Sequence, residues 1–593
     1  MSAGEATVAT GEVGIAAPSD LGRAVALTAA AILLLAGLTL VGLVFVPLPP
    51  NMLLAGIQAK TQDVPVAIGV AAVLVGLAGL GGAAWVGAIG RAAIGHPRKA
   101  VAAMAVAVVV VSTIGCDLVF LDTPLSRDET LATFDAATLA RGHLIAPVAP
   151  EHRGEVDALQ PTFMVVLTDD AGFVSQYLPG NAAIRALIGR LADPRAASPL
   201  LAALAVVAVF AAGRRLWPGR IDAALVAALL TATSSQVLIT AATPYAMTAH
   251  LALDALWLAL FLRDDRIGHV GALAVGFLAT GLHQIVFHPL FVAPFVIAAL
   301  RTPERRRVGV FYVVGYGAIG AFWMVWWTIA TVAEGMSLTT QLYAEKRMLV
   351  PLIEAQIEPA VLMLGNLLRF VVWQNPLTVP LVVLAIPAIR RRDGIAGELA
   401  AGFAAMAILL VVIMPYQGHG WGFRYFHGLI GSLALLAGHG WIVATAGTGR
   451  PRAAAMLTAA TVAALVVQLP IQAAMAHGFH APNARAIRAV REAPFPAVIV
   501  DKTDVRFGDD LVRNDPFLEK RPLVYELTNL TSASLAKICA AGPVGVFDRR
   551  HGRRFGLLDG SSDRKAARRA ELRAEMERMG CGVALAIDGV VPP

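Results

Sequence analysis

Apolar residues in this chain come in long blocks, not at the spacing of an amphipathic helix. Ala24–Val46, Val64–Gly90, Val101–Phe120 and Val308–Ala333 are examples. Each reaches the roughly 20 residues that cross about 30 Å of hydrocarbon as a helix. In lipid only a helix or a closed barrel satisfies its own backbone, and the alternation of barrel strands is absent. The blocks therefore predict membrane-spanning helices. The polar punctuation between them sets their direction. Short basic loops stand at Arg91–Lys99, Arg214–Arg220, Arg263–Arg266, Arg301–Arg307, Arg390–Arg392 and Arg450–Arg452. The loops in between are nearly free of Lys and Arg. Asn51–Pro65 holds only Lys60, Thr243–His250 and His283–Pro289 hold neither, and Met414–Gly428 holds only Arg424. The alternation predicts about thirteen spans, with the N-terminus inside and the C-terminus outside. Ala360–Ile389 reads either as one helix or as a surface helix followed by a span.

Three outer segments are large: Leu121–Pro199, Glu334–Pro376 and everything after about Leu469. In the last, short apolar runs (Ala497–Val500, Leu523–Leu527, Val544–Phe547, Val583–Ile587) alternate with charged helical stretches such as Asp563–Met579. That pattern suits an α/β unit of about 100 residues. The expected organisation is a cytoplasmic tail (1–23), two additional N-terminal spans (24–100), and a transmembrane core (101–470) with outer loops 121–199 and 334–376. An extracytoplasmic soluble α/β domain (471–593) follows. The fold class is thus an all-α polytopic membrane protein with a small C-terminal α/β domain.

Composition agrees. Of 593 residues, 57% are apolar and 15% charged, where a soluble domain carries about 25% charge. The N-terminal segment is acidic (Glu5, Glu12, Asp20) before Arg23, and its apolar stretch is long enough to span, so it reads as a first span and not as a signal peptide. The formal charge of +7 is no nucleic-acid signal, because the arginines sit at the ends of apolar blocks. Cys116 lies in an apolar span. Cys539 and Cys581 share the outer domain, where an oxidising compartment permits a bridge; two free thiols are the alternative. No zinc or haem spacing occurs, so no metal or other cofactor is indicated. No internal repeat is visible.

The chemistry concentrates in the first outer loop. It opens Asp122-Thr-Pro-Leu-Ser-Arg-Asp-Glu-Thr, and Leu131, Phe134, Ala137 and Leu139 suit a surface helix ending at Gly142. Ser126-x-x-Glu129 matches a capping box, in which Glu129 reaches back to the Ser126 amide. Asp128 would then sit in the first turn, where the helix dipole favours a carboxylate. Asp128 and Glu129 are about 100° apart around a helix, so one can face a cavity while the other caps. An acceptor hydroxyl at that cavity needs a base, typically worth about 10²–10⁴-fold in rate. Both are candidate catalytic residues. Further along, Tyr177-Leu-Pro-Gly180 is a turn before a helix over Ala182–Leu191.

Taken in order, a span precedes Asp128-Glu129 and Arg141-Gly142. Next come Gln176-Tyr177-Leu178-Pro179-Gly180 and a span ending Gly213-Arg214-Arg215-Leu216-Trp217-Pro218-Gly219. A late outer loop reads Gly422-Phe423-Arg424-Tyr425, before a span ending Gly438-His439-Gly440. Together these resemble the bacterial GT-C membrane glycosyltransferases of the dolichyl-phosphate-mannose-protein mannosyltransferase and aminoarabinose transferase type. Members of that family carry Asp-Glu, Tyr-Pro-Pro-Gly, Arg-Arg-Leu-hydrophobic-Gly and Gly-x-Arg-Tyr segments. The resemblance covers roughly residues 100–450 and extends loosely to Val512-Arg513-Asn514-Asp515-Pro516. It implies an inverting transfer of sugar from a polyprenyl-phosphate carrier to a glycan, lipid or protein acceptor of the cell envelope. The carrier lipid lies between helices, with membrane lipids as further partners, and the acidic residue that opens the first outer loop, here Asp128, activates the acceptor. Two positions depart from the family: Gln176 stands where a lysine near the donor phosphate is common, and Leu178 replaces the first proline. Charge for the phosphate must then come from elsewhere.

Arg424 is the first candidate, since a charge near bilayer depth is costly and usually paired or functional. Arg127, Lys346 and Arg347 are others, and Tyr425, Gln176 and Tyr177 accompany the motifs. Gly281-Leu-His283-Gln-Ile-Val-Phe-His288 puts two imidazoles at an outer helix end, on the same side as His250, His419 and His427. The spacing of His283 and His288 does not make a one-face metal pair, so these residues read as candidates for holding phosphate or sugar hydroxyls. Two other function classes stay open: a transporter or flippase of envelope precursors, and a non-catalytic assembly scaffold of the same fold. A transporter should show doubled topology and broken midplane helices.

Overall fold

The structure, a computed structural model, describes residues 20–48, 53–81, 92–159, 164–166, 170–336, 359–413, 420–560 and 565–585. Helices dominate, as the apolar blocks require. Among the described residues seven are long and apolar enough to cross a membrane: Leu21–Phe45, Leu53–Ala78, Pro97–Leu118, Pro194–Leu216, Pro303–Met324, Arg424–Ala444 and Gly447–Arg491. Six shorter apolar helices, Ile221–Ala232, Met247–Phe261, Arg266–Thr280, Phe287–Arg301, Val361–Val372 and Ala396–Leu410, complete the bundle. The chain is a multi-pass membrane protein.

The segment Ala360–Ile389 is neither of the two forms expected from its sequence. It is three helices, Pro359–Val372, Thr378–Leu384 and Ile386–Arg391. The first break, at Trp373–Leu377, contains Pro376, which cannot donate to a helical ladder. Its freed backbone groups are satisfied from neighbouring helices: Gln468 donates to the carbonyls of Val372 (2.7 Å) and Gln374 (3.0 Å), and Gln472 donates to Val372 (3.2 Å). Gln468 ends one of two π-helical turns, Ala464–Gln468; the other is Ala59–Asp63. From that second turn Asp63 forms a two-bonded ion pair with Arg369, at 2.9 and 2.6 Å, nearly sealed from solvent. It ties the N-terminal helices to the break.

The loop after the Pro97–Leu118 helix carries the helix Arg127–Ala140 and a small antiparallel sheet of β1 (Ala146–Pro147), β2 (Met164–Val166) and β3 (Gly172–Ser175), in order β1-β3-β2. The C-terminal unit is α/β, with a parallel sheet β5-β4-β6-β7 built from β4 (Ala497–Val500), β5 (Leu523–Glu526), β6 (Val544–Phe547) and β7 (Val583–Ala584). Strands buried on both faces read as continuous apolar runs. Ala497, Ile499, Leu523, Tyr525, Val544 and Val546 share one core with Leu131, Phe134 and Phe173 of the first loop. Val498, Val500, Val524 and Phe547 face the other way, onto Ile487 and Val490. Those two belong to the helix Leu469–Arg491, which runs unbroken through the expected boundary at 471 and becomes one wall of the unit. Cys539 and Cys581 are joined by a disulfide.

Candidate functional site

The site starts at the capping box. Ser126 is the N-cap of Arg127–Ala140, its side chain accepting from the Glu129 amide, and Glu129 reaches back to the amides of Leu125 (2.9 Å) and Ser126 (2.7 Å). Burial raises the Glu129 carboxyl to about 7 against those bonds, which favour its charged form. Arg513 of the C-terminal unit grips the same entry, donating to the carbonyls of Pro124 (2.6 Å) and Leu125 (2.9 Å). Arg127 points to that unit as well, pairing with Asp509 (3.0 Å) and Asp510 (3.6 Å). Glu129 and Arg127 thus anchor the helix start from either side of Asp128.

Asp128 is turned about 100° from Glu129 and faces a different set of groups. Its Oδ1 accepts from the Tyr177 hydroxyl (2.6 Å) and its Oδ2 from Arg424 Nη1 (2.5 Å). Burial opposes its ionisation, but the Arg424 guanidinium and the Tyr177 hydrogen bond outweigh it and hold the carboxyl below its ordinary range. Arg424 begins the 3-10 turn Arg424–Leu429 and is flanked by two aromatic rings, Tyr245 at 5.5 Å and Tyr425 at 5.1 Å. Such cation–π contacts fix a guanidinium without neutralising it. Tyr425 accepts from Arg424 Nη2 at 3.4 Å and stacks on Phe287.

Tyr177 is placed by backbone. The Leu178 amide donates to the His283 carbonyl (3.1 Å) and the Gly180 amide to that of Gly281 (2.7 Å). A Cβ on Gly180 would stand 2.6 Å from the Gly281 oxygen, so only glycine allows the two turns to meet. Their contact stacks the Tyr177 ring on His283, centroids 3.9 Å apart. Burial pulls the His283 imidazole down to about 4, which keeps it neutral beside Arg424.

The structure therefore brings together Asp128, Tyr177, His283, Arg424 and Tyr425. Gln176 lies beside them in sequence, its buried Nε2 without a partner among the described residues, and both ring nitrogens of His283 and of His250 are likewise buried without one. Gln236 Nε2 donates to His427 Nδ1 (3.4 Å). His288 is turned elsewhere: its Nδ1 meets Asp254 (2.6 Å) and its Nε2 the Tyr316 hydroxyl (2.8 Å), a contact set inside the bundle. Lys346, Arg347 and His419 lie outside the described residues. Sequence reasoning missed Tyr245, and it missed Asp254 and Tyr316 as the partners of His288. A lone acid within the apolar helix Met247–Phe261 was the available signal for the latter. Among the described residues no group of three or more His, Cys, Asp or Glu side chains could hold a metal ion.

No protein-family model matches the chain, and no curated protein matches it. Solved structures do. ArnT from Cupriavidus metallidurans in the apo state aligns with 72% of this chain and 84% of its own, at 14% identity and a TM-score of 0.47. The same protein bound to undecaprenyl phosphate aligns with 70% of this chain and 85% of its own, at 14% identity and a TM-score of 0.46. An oligosaccharyltransferase from Archaeoglobus fulgidus, in the apo form, aligns with 71% of this chain and 64% of its own, at 13% identity and a TM-score of 0.39.

Proposed function

We propose that this protein is an inverting membrane glycosyltransferase. It moves a sugar from a polyprenyl-phosphate donor to a cell-envelope acceptor on the non-cytoplasmic face of the cytoplasmic membrane, with Asp128 as general base. The observation that carries the reading is the partly buried Asp128–Arg424 pair, formed by the two residues that match the acidic and Gly-x-Arg-Tyr positions of the resemblance.

A base and a phosphate counter-ion are the two groups this chemistry asks for. Without substrate they neutralise each other, which avoids an uncompensated charge in a partly buried site. A donor phosphate competes for Arg424, since guanidinium binds phosphate and carboxylate alike. Drawing Arg424 away removes the strongest influence that depresses the Asp128 carboxyl. The base then becomes stronger only when donor is present. Tyr177 continues to orient it, and neutral His283 and Gln176 offer hydrogen bonds to sugar hydroxyls. Gln176 in place of a lysine leaves Arg424 as the cation for the phosphate.

Deleting the gene and measuring envelope glycan composition by mass spectrometry tests the activity and names the sugar. One glycosyl residue is expected to disappear. An unchanged composition, under conditions where the gene is expressed, contradicts the reading.

A further inference from the structure

On the other side of the Asp128 helix lies a cavity of about 320 Å³, within the roughly 300–1,000 Å³ of small-molecule sites. Glu129, Thr133, Ala136, Ala137 and Ala140 form one wall, at the spacing of a single helical face. Cys116 and Phe120 supply a second apolar wall, and the helix Gly180–Gly189 a third. Asp128 does not line it.

One group in this cavity is out of keeping with its walls. Arg185 is 4% exposed. Its Nη2 donates to Ser198 Oγ (2.5 Å) and to the Thr243 carbonyl (3.5 Å), both neutral. Its Nε has no partner among the described residues, and none of their carboxylates lies within ion-pair distance of it. Among the described residues the other arginine buried to that degree, Arg369, pairs with Asp63. Glu129 acts on Arg185 only through space, because its own carboxylate is occupied by the helix-start amides. A buried charge without a counter-ion is strongly destabilising. An apolar cavity with one buried, uncompensated guanidinium matches a molecule with an apolar body and an anionic group.

We propose that this cavity binds an oxyanion, phosphate or carboxylate, carried on an apolar body, with Arg185 as its counter-ion. The small side chains of Ala136, Ala137, Ala140 and Ala186 leave a smooth slot for a hydrocarbon chain, and Arg190 and Arg195 stand among the lining residues as further cations. Arg195 is already engaged by Asp117, Asp122 and Asp193, which leaves Arg185 as the group the ligand must satisfy. The site does not depend on the glycosyltransferase reading, because it shares neither Asp128 nor Arg424.

The test uses the full-length protein in a non-ionic detergent, with dodecyl phosphate and inorganic phosphate as probes and binding read by calorimetry. Dodecyl phosphate should bind the wild type, and Arg185→Gln should weaken it about tenfold or more, the scale of a lost hydrogen bond to a charged group. Ala137→Trp fills the slot without touching charge, and should weaken it comparably, which keeps the test decisive if Arg185→Gln does not fold. The variants are also made in an Arg424→Gln background, so that a lipid phosphate bound at Arg424 does not contribute to the signal. Binding of inorganic phosphate with the same dependence on Arg185 supports the counter-ion and assigns the site to a free anion. Binding that survives both Arg185→Gln and Ala137→Trp in the Arg424→Gln background overturns the proposal, as does an Arg424→Gln protein that binds no dodecyl phosphate.

Discussion

At the scale of single residues, the decisive arrangement is a carboxylate held between a phenol and a guanidinium. Tyr177 donates to the charged form of Asp128 and so lowers its pKa. Tyr177→Phe removes that bond. The Asp128 pKa then rises, and a reaction that needs the ionised base loses rate as pH falls through a higher value. The acid limb of the activity–pH profile should therefore move to higher pH in Tyr177→Phe; an unmoved limb would show that Asp128 is not the group titrating there. Asp128 and Arg424 were each legible singly, as an acid opening a loop and as the lone cation of another. Their pairing was not, because they are 296 positions apart and nothing local in either segment specifies the other. The partners of Arg127, a candidate phosphate ligand by its sequence, were hidden for the same reason: Asp509 and Asp510 lie in a distant part of the chain.

At the scale of elements, the start of the Asp128 helix was the most readable feature, since a capping box is written in four consecutive residues. Gly142, with φ of +86°, follows the end of the helix as expected. Glu129 gives this element a pH dependence. Its pKa is raised from 4.5 to about 7, so the native state binds more protons than the unfolded chain between those values. Its contribution to stability therefore falls as pH rises through that window. Glu129→Gln keeps an acceptor for the two amides but cannot ionise, so its melting temperature should fall less than that of the wild type across the same window. Parallel pH profiles in the two proteins would remove Glu129 as the source. The meeting of Gly180 with Gly281 was not readable. The sequence marks both as turns, but only the fold shows that the turns touch and thereby stack Tyr177 on His283.

At the scale of the whole molecule, the apolar blocks and the short strand runs after Ala497 announced a helical membrane protein with a C-terminal α/β unit. The sharing of one core between that unit and the first loop was hidden, because the strands alternate which face they bury without naming the neighbour. Breaks inside the bundle were hidden too. Pro376 marks one, but the glutamines that satisfy it come from a helix about a hundred positions on. The Asp63–Arg369 pair holds this region to the N-terminal helices. Asp63→Ala leaves Arg369 buried and alone and should cost about 3–5 kcal/mol, while replacing both with apolar residues of similar volume should cost far less. Thermal unfolding of the two variants in detergent checks this; equal losses would show that the pair itself contributes the stability.

The central claim is that Asp128 is the base of a sugar transfer. It is tested most directly by expressing Asp128→Asn, at matched level, in cells lacking the gene and measuring envelope glycan composition by mass spectrometry. Asparagine keeps the shape and a hydrogen-bond acceptor for Tyr177 but cannot take a proton, so transfer should fall by about 10²–10⁴-fold and the missing sugar should stay missing. Full restoration of that sugar by Asp128→Asn would contradict the account and leave Asp128 as a structural partner of Arg424.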